Sequence, residues 1–168
     1  KNCEITGNRN GVYVNNRLNN KIINNIITNN RTGIQLCNNV TGLVVKDNVI
    51  SNNWTIGILF NFDGPSLKTA NVSINNNKIF GNWYGQVENR FTNSTAIMDL
   101  TGNWFGSAEI TKRNTNSVEP GYAELIPKEF GGDATPPGTA FVISGTASDK
   151  INYDPWYTNE AMTDLVTD

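Results

Sequence analysis

The sequence predicts an all-β fold: a right-handed parallel β-helix, a solenoid of about four coils with an irregular C-terminal cap. Three observations carry this expectation. An Asn-centred motif recurs about every 22 to 24 residues, short alternating apolar triplets lie inside each repeat, and no uninterrupted helical periodicity occurs in residues 1–106. Asparagine supplies 29 of the 168 residues, and 25 of those fall within residues 1–103.

The clearest copy is Asn25-Ile26-Ile27-Thr28-Asn29-Asn30-Arg31-Thr32-Gly33-Ile34. It returns as Asn48-Val49-Ile50-Ser51-Asn52-Asn53-Trp54-Thr55-Ile56-Gly57-Ile58 and again as Asn77-Lys78-Ile79-Phe80-Gly81-Asn82-Trp83-Tyr84-Gly85. Gly7-Asn8-Arg9-Asn10-Gly11-Val12 is a fainter first copy, and Asn103-Trp104-Phe105-Gly106 a partial last one. The aligned asparagines 25, 48, 77 and 103 are 23, 29 and 26 residues apart, and the longest step holds a Gly-Pro loop insertion, residues 62–68.

Within each unit, triplets such as Val12-Tyr13-Val14, Ile34-Gln35-Leu36, Ile58-Leu59-Phe60 and Val72-Ser73-Ile74 alternate with period two, as strands do. Asn-Asn, Asn-Gly and Thr-Gly pairs between them suit turns with left-handed backbone. Three strands and three turns per unit make one coil, each strand pairing with its equivalent about 4.8 Å along the axis. In such a stack, asparagine amides at equivalent positions bond up and down the axis as ladders. Gly33, Gly57 and Gly85 are expected to form one axial row. Residues 1–106 are read as the coils. Residues 107–168 are read as part of the same domain: a loop excursion to about residue 138, then a cap in which Phe141–Ser144 and Ile151–Tyr153 form a final strand pair.

Composition excludes much chemistry. Histidine is absent, which removes Ser-His-Asp and Cys-His nucleophile systems and most zinc sites. A net charge of -2 and a pI near 5.1 leave no basic field for nucleic acid. No apolar run of about 18 residues suggests membrane insertion, and no export signal is visible. No metal or cofactor is expected.

Asn103-Trp104-Phe105-Gly106, followed by Ile143-Ser144-Gly145 and Ile151-Asn152-Tyr153-Asp154-Pro155-Trp156, resembles the terminal signature of parallel β-helix repeat proteins of microbial surfaces. These are adhesin-like and S-layer-like proteins within the pectate-lyase-like superfamily. The resemblance implies an extracellular, cell-surface location. Enzymes of that superfamily act on polysaccharide with Arg or Lys bases and calcium-holding acids, or with paired carboxylates. Here the repeat region holds only Glu4, Asp47, Asp63, Glu88 and Asp99, and no two share an aligned column. Asp47 and Asp63 are the best single candidates, each read as a solvated surface acid, and no catalytic residue is assigned.

Aromatic side chains offer a better site. Aligning Asn30, Asn53 and Asn82 places Arg31, Trp54 and Trp83 in the next column and Thr32, Thr55 and Tyr84 in the one after. Indole faces on adjacent coils suit the apolar faces of sugar rings, so Arg31, Trp54, Trp83 and Tyr84 form a candidate glycan platform, set against a bland role in shielding the turn. Trp104 aligns with Lys78 and, with Trp156, is assigned to packing. Sequons begin at Asn30, Asn39, Asn53, Asn71 and Asn93; as turn residues they are expected to be accessible for glycosylation. Cys3 shares a column with Asn25 and Asn48, and Cys37 with Asn15 and Asn61. Half a coil apart, they should exceed the roughly 7 Å reach of a disulfide, leaving Cys3 available to pair with another chain.

No capping segment precedes Cys3, so an open first coil is expected. Residues 1–60 carry +4, residues 61–106 balance, and residues 107–168 carry -6, a polarity that favours head-to-tail contact. The function expected is a non-enzymatic, extracellular structural or adhesive module of a microbial cell surface, associating with itself into a filament, sheath or lattice, or with neighbouring surface proteins or glycans. The alternative is a polysaccharide-acting lyase or hydrolase, or a glycan-binding fragment. Ice binding would need a flat Thr-x-Thr ladder, which is absent.

Overall fold

The computed structural model describes residues 1–62, 70–116 and 141–167. Asp63, most of the loop insertion and most of the excursion lie outside the described residues.

Each coil runs through three parallel sheets, A, B and C, in that order. The first contributes β1 (Glu4–Ile5), β2 (Asn10–Leu18) and β3 (Lys21–Ile23), the second β4 (Ile26–Thr28), β5 (Thr32–Thr41) and β6 (Val44–Lys46). The third is β7 (Val49–Ser51), β8 (Ile56–Phe62) and β9 (Ser73–Asn75), the fourth β10 (Lys78–Phe80), β11 (Gly85–Asn89) and β12 (Met98–Asp99). Equivalent strands stack in order, β1-β4-β7-β10 in sheet A, β2-β5-β8-β11 in B and β3-β6-β9-β12 in C. The class read from the repeats is the one observed.

Inward columns are apolar and mostly β-branched, the residue type that packs best on a pleated surface. They are Ile5-Ile27-Ile50-Ile79 in sheet A, Val12-Ile34-Ile58-Val87-Ile143 in B and Ile22-Val45-Ile74 in C. Ile27, Ile34, Ile50, Ile58, Ile74 and Ile79 have no exposed surface.

The structure separates two jobs of the Asn-Asn doublets. The first residue of each takes the left-handed turn: Asn24, Asn29, Asn52 and Asn76 have φ between 53° and 56°, and Asp47, Gly7, Gly81 and Gly102 fill the same role. Asparagine tolerates this region better than other residues with a Cβ. The second residue points inward and forms the ladder. Asn25 Nδ2 donates to Asn48 Oδ1 at 2.9 Å, Asn48 to Asn77 at 2.9 Å and Asn77 to Asn103 at 3.0 Å. A second ladder runs from Asn8 to Asn30 at 3.2 Å, Asn30 to Asn53 at 3.2 Å and Asn53 to Asn82 at 2.8 Å.

Three expectations are corrected. Gly33 stacks on Gly57, but Gly85 pairs with Ile56, so the row is Gly11, Gly33, Gly57 and Gln86. The reason is the end of the second ladder: Asn82 lacks a next asparagine, and the Gln86 Oε1 accepts from its Nδ2 at 2.8 Å instead. Next, β13 (Phe141–Ser144) and β14 (Ile151–Asn152) are not a strand pair. They stack on β11 and β12 in different sheets, and with the Trp104 bridge to Lys78 they form a fifth coil. The cap proper is the antiparallel pair β15 (Trp156–Tyr157) and β16 (Leu165–Val166), with Tyr157 bridging to Trp104. Finally, a register shift after Leu36 pairs Cys37 with Phe62 rather than Asn61, although Cys37 does face Asn15.

Candidate functional site

The corner between sheets A and B is built the same way on the first four coils: a left-handed residue, then a ladder asparagine, then a side chain at the surface. The Arg31 N–H donates to the Asn8 carbonyl at 2.9 Å, the Trp54 N–H to Asn30 at 2.8 Å and the Trp83 N–H to Asn53 at 3.2 Å. This hydrogen-bond register lines up Arg9, Arg31, Trp54 and Trp83 on four consecutive coils, one strand spacing of about 4.8 Å per step. Arg9 is exposed; Arg31, Trp54 and Trp83 are half-buried. Two guanidinium groups therefore continue into two indoles along one edge of the shaft. Arg9 went unrecognised although the 22-residue match of Gly7–Gly11 to Asn29–Gly33 already contained it.

The next column differs. Thr32 and Thr55 turn inward, their hydroxyls 3.1 Å apart and both buried, whereas Tyr84 is half-buried beside Trp83 with its N–H on the Thr55 carbonyl at 2.9 Å. Tyr84 thus stands at the same corner as the indoles.

The acids do not converge there. Asp47 is a turn residue with φ 57°, 3.9 Å from Lys46 at the surface. With Glu4, Asn2, Asn24 and Cys3 it lines an open hollow of about 440 Å³, in which the two carboxylates are two coils apart. Glu88 is the opposite of a surface acid: fully buried, paired with the Arg90 guanidinium and accepting from the Ser144 hydroxyl at 3.0 Å. It ties β11 to β13 across 56 residues of sequence. Among the described residues no group of three His, Cys, Asp or Glu side chains gathers as a metal site.

Both cysteines are free, Cys3 exposed and Cys37 buried. Hydrogen bonding to the Cys37 sulfur, then burial and the charge that sulfur can carry, push the Tyr13 phenol above its ordinary value. Trp104 packs against Phe80 with ring centres 5.0 Å apart, and buried Trp156 donates from Nε1 to the Ala108 carbonyl at 3.2 Å. The sequons do not all sit on accessible turns: Asn30 and Asn53 are wholly buried as ladder rungs, correcting that expectation, while Asn39 is half-buried and Asn71 and Asn93 are exposed.

A three-sheet solenoid with inward asparagine ladders and a patterned corner defines a parallel β-helix repeat protein. The family described as "right handed beta helix region" matches residues 1–117, and the chain belongs to it. That family holds enzymes and non-enzymes, and its fold is compatible with surface and polysaccharide-related proteins. Neither a curated protein nor a solved structure matches the chain. No helix among the described residues is long and apolar enough to cross a membrane.

Proposed function

We propose that the chain is a non-enzymatic module of a microbial cell exterior, a rigid shaft whose A–B corner docks glycans through Arg31, Trp54, Trp83 and Tyr84, with Arg9 extending the row. The observation that carries this reading is the alignment of Arg9, Arg31, Trp54 and Trp83 on consecutive coils. A repeating ligand meets repeating contacts on such an edge, and an indole offers its face to the C–H side of a sugar ring. The two ladders support the shaft role, because every rung ties one coil to the next.

The test is a glycan array probed with the folded chain and with Trp54→Ala plus Trp83→Ala. Binding by the parent that the double variant loses supports the platform; equal binding by both discards it. Reproducible product release from acidic polysaccharides, with or without calcium, would replace the non-enzymatic reading with the polysaccharide-acting one.

Head-to-tail association is a second reading, favoured by the charge polarity of +4 over residues 1–60 and -6 over residues 107–168. Exposed Cys3 can then bridge chains as a disulfide. Light scattering should show association at low salt that high salt reverses; a monomer throughout removes the idea.

A further inference from the structure

The five Asn-x-Ser/Thr sequences are divided by the fold into reachable and unreachable ones. N-glycosylation joins sugar to the asparagine Nδ2. In Asn30 that nitrogen donates to the Thr28 carbonyl at 3.0 Å, and in Asn53 to the Ile27 carbonyl at 3.2 Å, inside a core where both residues have no exposed surface. Asn39 belongs to β5, whose next residues Val40 and Thr41 pair with Arg17 and Leu18 of β2. The Thr41 hydroxyl of that sequon is engaged at 2.9 Å with Asn39 Oδ1. A transferase must take an acceptor sequence out of any paired strand before it can hold it, so β-pairing protects Asn39.

The Asn71 sequon meets the same obstacle at its other end, since Ser73 lies in β9, paired with Val44 and Asp99, and its hydroxyl is engaged with Asn75 Oδ1; Asn93-Ser94-Thr95 has no residue in a strand. Asn71 and Asn93 are themselves exposed. Both lie in connections from sheet B to sheet C on consecutive coils, Asn71 between β8 and β9, and Asn93 between β11 and β12. Asn71 has a left-handed backbone, φ 54°, like Asn19 and Gly42 in the equivalent connections of the coils before it. We infer that Asn93 is the N-glycan acceptor of the folded chain, placing sugar at the B–C corner of the fourth coil and leaving the A–B row of Arg31, Trp54 and Trp83 uncovered.

In the transfer, Nδ2 of the asparagine bonds to the anomeric carbon of a lipid-diphosphate-linked oligosaccharide. The bond from that carbon to the phosphate oxygen breaks, the lipid diphosphate leaves, and the proton lost by Nδ2 passes to a base of the transferase. The cell-exterior reading above supplies the setting, an exported chain meeting such an enzyme; the acceptor geometry stands apart from it.

The experiment incubates the folded chain with an oligosaccharyltransferase and its lipid-linked donor, the enzyme first verified on free peptides containing Asn71 and Asn93. Peptide mapping should find sugar at Asn93 and none at Asn30, Asn39, Asn53 or Asn71, and the urea-unfolded chain should gain further sites. Thr95→Ala, which removes the sequon but keeps Asn93, should delete the addition. Sugar at Asn30, Asn39, Asn53 or Asn71 of the folded chain overturns the inference, as does a folded chain unmodified at Asn93. A glycan-array failure of the Trp54 and Trp83 row leaves this outcome unaffected, so the two readings fail separately.

Discussion

Asn53→Ala isolates what one rung of a ladder contributes. Asn53 Oδ1 accepts from the Asn30 main-chain N–H at 3.1 Å and from Asn30 Nδ2 at 3.2 Å, while its Nδ2 donates to the Ile27 carbonyl at 3.2 Å and to Asn82 Oδ1 at 2.8 Å. After truncation, Asn82 Oδ1 still receives the Asn53 N–H at 3.1 Å, and Asn30 Nδ2 keeps the Ile5 and Thr28 carbonyls. The Asn30 main-chain N–H keeps no such substitute, in a residue with no exposed surface. One orphaned buried donor at about 1–3 kcal/mol and three further lost bonds at about 0.5–1.5 kcal/mol each give a loss of about 2.5–7.5 kcal/mol. Against a domain stability of about 5–15 kcal/mol that loss is a large fraction. The control is the neighbouring residue: Asn52 is exposed with φ 53°, and Asn52→Ala should cost only the left-handed penalty of about 1–2 kcal/mol. Urea unfolding followed by circular dichroism measures both. Asn53→Asp should be worse than Asn53→Ala, because it aims a buried carboxylate oxygen at Asn82 Oδ1 and the Ile27 carbonyl. Should Asn53→Ala match Asn52→Ala, or should Asn53→Asp be tolerated near neutral pH, the ladder does not hold the coils together.

Other outcomes follow from the same packing. At Gly33 an added Cβ would stand 2.5 Å from the Gly57 carbonyl oxygen, so Gly33→Ala should cost about 1–3 kcal/mol or more through forced separation of two coils. Gly7→Ala, with no atom within 4 Å but φ +73°, should cost about 1–2 kcal/mol; equal melting curves for the two would contradict the row. Glu88→Ala strips a partner from Arg90 and Ser144, and with the Arg90 side chain 21% exposed the loss should lie near the lower end of the buried-pair range, about 3 kcal/mol, in a denaturant titration. A thiol reagent should titrate Cys3 in the native protein and Cys37 only on unfolding; two equally fast thiols would show that Cys37 is not enclosed.

The amino-acid sequence determined the period, the three-strand coil, the columns of both ladders, the Arg31-Trp54-Trp83 alignment and the separation of Cys3 from Cys37. These were legible because a solenoid makes each rung's partner the equivalent residue one repeat away. The chemistry of a contact is therefore written twice at a fixed offset, even when a loop stretches the step from 23 to 29 residues. Tertiary structure alone decided where the pattern stops or slips. Gln86 replaces a glycine because the second ladder has run out of asparagines, and the strands after residue 140 continue the shaft because β11 and β12 present them with open edges. Glu88 becomes a buried clamp through Ser144, 56 residues away, and the Asn30 and Asn53 sequons vanish inside the coil because the ladder needs their amides. Each of these depends on a partner that no repeat announces: periodicity writes contacts between like positions, whereas ends, bulges and burial are contacts between unlike ones.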